Sequence, residues 1–113
     1  NKLLQRAEDV YRAFWKKPML NTNEGAGAAY YEPKMNMITS ILSACRTYNE
    51  WQRAQRIFDD VRRENQLDEA DEIDERYECI YVLMANMFAQ NGEYEKETSL
   101  RNEIRRKALN AYL

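Results

Sequence analysis

Two cysteines, no histidine and one dense run of carboxylates are what this 113-residue chain offers for chemistry beyond packing. Without histidine there is no Ser/His or Cys/His pair, and the commonest general base and metal ligand are both missing. Cys45 and Cys79 form no CxxC and have no partner ligands at zinc spacing. They could form one bridge, but each falls at a position that a helical pattern makes apolar. Both therefore read as small buried hydrophobes in a reducing compartment. Gly25, Gly27 and Gly92 are the only glycines, too few and too scattered for a phosphate-cradling loop. Composition thus points away from catalysis, with no cofactor and no metal expected, and towards binding.

The carboxylates are concentrated. Residues 64–78 carry Glu64, Asp68, Glu69, Asp71, Glu72, Asp74, Glu75 and Glu78 against a single base, Arg76. Outside that stretch, 11 acids face 16 Lys and Arg, so a mildly basic body carries an acidic segment. A solvated linker is the plain expectation, and a docking surface for a basic partner is the sharper one. The alternating spacing and central glycine of a calcium loop are missing.

The elements that would position these groups are helices. Apolar residues recur at helical spacing as Leu3, Leu4, Ala7, Val10, Tyr11 and Phe14, closing at Lys16, Lys17 and Pro18. Residues 19–33 gather Asn21, Asn23, Gly25, Gly27 and Pro33 and read as one long irregular connection. A second helix is expected from about Lys34 to Tyr48, with Ile38, Ile41, Leu42 and Cys45 on one face. Asn49 then caps a third helix that buries Trp51, Ala54, Ile57, Phe58 and Val61. Ile80, Leu83, Met84, Met87 and Phe88 define a fourth, Asn91-Gly92 a turn, and residues 93–108 a fifth helix with Leu100 and Ile104 inward. The composition, 44 % hydrophobic, suits one domain over residues 1–113, and no apolar run is long enough to span a membrane. No secretory signal is visible at Asn1, which fits a processed chain or a fragment.

Helices two and three align with helices four and five. Ile38, Ile41, Leu42, Asn49, Trp51, Ile57 and Val61 fall opposite Ile80, Leu83, Met84, Asn91, Tyr94, Leu100 and Ile104. Repeated antiparallel pairs joined by short turns imply an all-α array of stacked helical hairpins, of the tetratricopeptide or pentatricopeptide type.

Three blocks resemble the nuclear-encoded Va subunit family of mitochondrial cytochrome c oxidase, called VI in fungi. They are Phe14-Trp15-Lys16-Lys17-Pro18-Met19-Leu20, then Glu32-Pro33-Lys34, then Ala44-Cys45-Arg46-x-x-Asn49-Glu50-Trp51-x-x-Ala54-x-Arg56-Ile57-Phe58-x-x-Val61. The stretch between Pro18 and Pro33 is shorter and more Gly-rich than in that family, and residues 64–78 look like an insertion. The resemblance implies a mitochondrial accessory subunit on the matrix side of the inner membrane, binding neighbouring protein subunits and supporting assembly. It implies no metal or haem of its own. Carried onto matching positions, it makes Arg46, Asn49, Glu50 and Arg56 candidate partner contacts. Tyr30 and Tyr31 join them on chemistry alone, because adjacent tyrosines in a connection suit an interface. Arg101, Arg105, Arg106 and Lys107 form a basic cluster that solvates the last helix or meets anions.

A second resemblance is to pentatricopeptide repeat proteins of organelles, through Ser43-Ala44-Cys45-Arg46-Thr47 and the run from Tyr81 to Gly92. In that family a small polar residue early in a repeat and an Asn or Asp at its end together read one base. Here Thr39 suits the role, whereas Tyr77 and Val82 do not, and the acidic segment opposes phosphate. RNA is therefore the less expected partner.

Overall fold

The computed structural model describes residues 2–15 and 24–110, with side chains over 2–13 and 35–110. It contains five helices: α1 (Lys2–Trp15), α2 (Glu24–Thr47), α3 (Trp51–Glu64), α4 (Glu75–Gln90) and α5 (Tyr94–Asn110). Among the described residues there is no strand. α2 packs on α1, α3 and α4, and α4 packs in turn on α3 and α5. This neighbour pattern is compatible with hairpins α2–α3 and α4–α5 stacked side by side. The chain spreads over 45 × 42 × 17 Å, wide and thin as a layered helical sheet should be.

The core is built where helical periodicity put it. Ile38, Ile41, Leu42 and Cys45 from α2 meet Ala54, Ile57, Phe58 and Val61 from α3, and Ile80, Met84, Met87 and Phe88 from α4. Leu100 seals it from α5, while Trp51, Leu83 and Ile104 pack against it half-buried. Three residues that alternation left out are also buried: Tyr77, Tyr81 and Ala85. The Phe58 and Tyr81 rings meet edge to face at 5.1 Å and 87°.

Five sequence expectations need correction. First, α2 begins at Glu24 rather than Lys34, so residues 24–33 are helical and not part of an irregular connection. Ala26, Ala28 and Ala29 are the best helix formers, and they offset part of the cost of about 3 kcal/mol that an interior proline brings through its lost N–H and its ring clash. Second, the α1 stripe is rotated. Leu4, Glu8 and Tyr11, spaced by four and three, are buried, whereas Leu3 and Val10 are 70 % and 61 % exposed. A buried carboxylate with two arginine partners, described below, has displaced two aliphatics. Third, Cys79 is exposed, and only Cys45 is a buried hydrophobe. Cys79 lies between the inward positions 77 and 80, off the α4 stripe. Burial pushes the Cys45 thiol up to about 11.

Fourth, the acidic segment is not a free linker. α3 ends at Glu64 and α4 starts at Glu75, and the intervening connection buries Leu67 and packs Ile73 on the core. Lys107, only 2 % exposed, donates from Nζ to the Leu67 carbonyl at 2.7 Å. The same ammonium lies 3.1 Å from Glu103 Oε2, and Arg62 bonds Glu103 Oε1 at 2.7 Å. Arg62 also reaches Asp68 through Nε at 2.6 Å, stacked 5.2 Å from the Phe58 ring centre. Asp74 then caps α4, accepting the Arg76 backbone N–H at 3.0 Å. Lys107 is thus structural, and of the expected basic cluster Arg105 and Arg106 remain exposed.

Fifth, Asn49 does not cap α3 at its start; it ends α2. Its φ is 61°, its N–H bonds Arg46 O at 3.2 Å, and the Glu50 N–H bonds Cys45 O at 2.8 Å. That pair of bonds is a Schellman ending, whose penultimate residue must be left-handed. α3 ends the same way at Gln66 (φ 55°) and α4 at Gly92 (φ 74°). Asn49 therefore corresponds in conformation to Gly92, not to Asn91. Asparagine tolerates this conformation, glycine prefers it, and alanine resists it. Asn49→Gly is therefore expected to leave stability unchanged or raised, and Asn49→Ala to lower it by about 1 kcal/mol in urea titrations. Equal stability of the two variants would contradict the left-handed assignment.

Candidate interface at the first hairpin turn

The turn from α2 to α3 brings three of the candidate contact residues together. Asn49, Glu50 and Arg56 line a groove of about 540 Å³ with Trp51, Arg53 and Asp59. The tight turn places Asn49 and Glu50 at the mouth, and the next two turns of α3 supply the wall. Trp51 stands half-exposed, its ring edge-on to Phe88 with centres 6.1 Å apart. Arg46 is exposed on the last turn of α2, outside the groove lining, and donates from Nε to Gln90 Oε1 at 3.1 Å. The side chains of Tyr30 and Tyr31 lie outside the described residues.

These residues divide by what already occupies them. Glu50 accepts from Arg53 Nε at 3.1 Å and is largely committed to it. Arg53 also donates from Nη1 to Glu8 and Gln5, both at 2.7 Å, so it ties α3 to α1. Glu8, 5 % exposed, accepts in addition from Arg12 Nε at 2.8 Å. Arg12 reaches across to Asp60 at 2.7 Å. Partial burial would raise the Asp60 carboxyl, but hydrogen bonds from Arg12 and Arg63 prevail and hold it below its usual value. Arg56, by contrast, is exposed and makes no ion pair among the described residues. It is the groove's available cation, beside an aromatic face and an exposed carboxylate at Asp59.

Sequence reasoning missed Arg53 and Glu8. Nothing in a helical pattern distinguishes a carboxylate that pairs across 45 residues from one that faces water. Such a groove can recognise polar and aromatic groups of another protein surface. No group of three or more His, Cys, Asp or Glu among the described residues is arranged to hold a metal ion. No helix among them is long and apolar enough to cross a membrane.

Among the described residues, the fold is all-α, five packed helices with an exposed polar groove at the turn between α2 and α3. Compared with family models, curated proteins and solved structures, the chain gives no match.

Proposed function

We propose that this chain is a non-catalytic accessory subunit of cytochrome c oxidase, on the matrix side of the mitochondrial inner membrane, where it supports assembly by binding neighbouring subunits. The observation that carries the reading is how the residues of the third resembling block divide. Cys45, Ala54, Ile57, Phe58 and Val61 are buried and build the hairpin. Arg46, Asn49 and Arg56 stay on the surface, and Asn49 and Arg56 line one groove. Asn49 is accounted for by the turn, whereas Arg56 is exposed, forms no ion pair among the described residues and is available to a partner.

The pentatricopeptide reading is less well supported. Tyr77, which would end a base-reading pair, is 4 % exposed within the core, and Val82 presents no hydrogen-bonding group. The acidic connection adds charge of the wrong sign for phosphate.

Affinity-tagged chain should enter detergent-extracted oxidase on native gels, scored by haem absorbance. Arg56→Glu should reduce that incorporation while leaving the thermal midpoint within about 2 °C, as an exposed, unpaired side chain requires. Selective, steeply salt-dependent RNA binding with no oxidase association would overturn the proposal in favour of the alternative.

A further inference from the structure

A second concavity lies between the start of α4, with the connection before it, and the last turns of α5. It measures about 250 Å³ and is lined by half-buried Ile73 and Ile104, by exposed Ala108, and by Glu72, Glu75 and Glu78. All three glutamates are exposed, and none forms an ion pair among the described residues. Asp68 and Asp74, in the same acidic stretch, are paired with Arg62 and Arg76. Glu75 and Glu78 stand three residues apart on one helical face, in the first turn of α4.

The one cation lining this pocket does not neutralise these glutamates. The Lys107 ammonium is spent on Leu67 O and Glu103. The pocket wall is also fixed in advance: Lys107 holds the connection at Leu67, and Asn110 Nδ2 holds it at Asp71 O, 2.9 Å away. An occupant would thus meet a formed site and need not order it.

We propose that this pocket docks a basic amphipathic segment of a protein partner, one aliphatic side chain lying on Ile73, Ile104 and Ala108 while flanking Lys or Arg pair with Glu72, Glu75 and Glu78. Charge complementarity selects that occupant. A purely apolar segment would desolvate three carboxylates without compensation. Phosphate-bearing ligands would be repelled. The cavity has room for one large aliphatic side chain, and the spacing of Glu75 and Glu78 matches cations one helical turn apart. The inference goes beyond the oxidase reading, since it holds for whatever complex supplies the segment.

The test uses a fluorescein-labelled alanine-based helical peptide with one Leu and a Lys one turn to either side, followed by anisotropy against the full chain. Binding should weaken about tenfold for Glu75→Gln/Glu78→Gln and for Ala108→Arg, which plugs the pocket with its own cation. A Glu93→Gln/Glu95→Gln control, removing equal charge elsewhere, should bind as the parent does, and added salt should weaken every complex. The peptide with Leu replaced by Ala should also bind less tightly, a comparison that needs no protein variant. The proposal is overturned by no binding at roughly millimolar peptide. Equal binding of the Leu and Ala peptides would overturn it as well, as would equal weakening by the control pair. Each of these outcomes is independent of whether the chain enters the oxidase.

Discussion

Phe58→Ala should lower the free energy of unfolding by about 3–5 kcal/mol, the range for emptying a fully packed aromatic site. Phe58 sits at the meeting point of α2, α3 and α4, edge-on to Tyr81 and beneath the Arg62 guanidinium. Truncation removes the ring's own burial, the edge-to-face contact, and the apolar face on which Arg62 rests. Phe58→Leu retains most of the volume and should cost about 1–2 kcal/mol, isolating the aromatic share. Urea denaturation monitored by far-ultraviolet circular dichroism measures both. A loss below about 1 kcal/mol for the alanine variant would mean that α3 presents another face to the core.

The second large effect is expected at Lys107. Lys107→Ala should cost about 3 kcal/mol, because it leaves the Leu67 carbonyl unpartnered and removes one of the two cations beside Glu103. Arg62 still compensates Glu103 from the other side, which keeps the loss below that of an orphaned buried charge. Lys107→Met preserves the aliphatic stem and should recover part of the loss, about 1 kcal/mol. The distinguishing readout is local. Amide hydrogen exchange across residues 65–74 should accelerate in both variants, while α2 and α3 keep their protection relative to global stability. Unchanged exchange in that connection would show that Lys107 does not hold it.

How far the sequence could be read depends on which force set each element. Where apolar burial dominates, spacing alone identified most of the inward residues of α2 and α3 and several of those of α4. The misreadings occur where a polar interaction overrides that pattern. α1 turned to bury Glu8 because two arginines, one of them 45 residues away, await it. Lys107 was read as part of a solvated cluster because only the folded connection brings a carbonyl to its ammonium. The long helix α2 escaped notice because glycine and proline weigh heavily in local reading, although a well-packed C-terminal half can offset their cost. At the candidate interface, the Asn49-Glu50-Trp51 turn was visible as a turn. Its handedness was not, since Asn serves equally at a helix start or in a left-handed ending. The acidic pocket could only be half anticipated: charge density is a property of sequence, whereas its apolar lining joins residues some 30 positions apart, as Ile73 and Ile104 show.

The order of helix packing has a consequence for how the chain comes apart. α1 packs closely on α2 and is tied to α3 by side-chain ion pairs and a hydrogen bond, α5 packs on α4, and the α1 and α5 backbones do not pack together among the described residues. No single contact therefore locks the two ends, and cooperativity must pass from neighbour to neighbour. Such a chain has low contact order and should refold quickly, without waiting for distant segments to find one another. It should also open from its margins. Acid that protonates Asp60 removes its pairing with Arg12 and should weaken the α1 margin before the α2–α4 centre. A molecule arranged this way yields its outer helices one at a time, so a neighbour in a larger assembly could take the place of one of them without unfolding the rest.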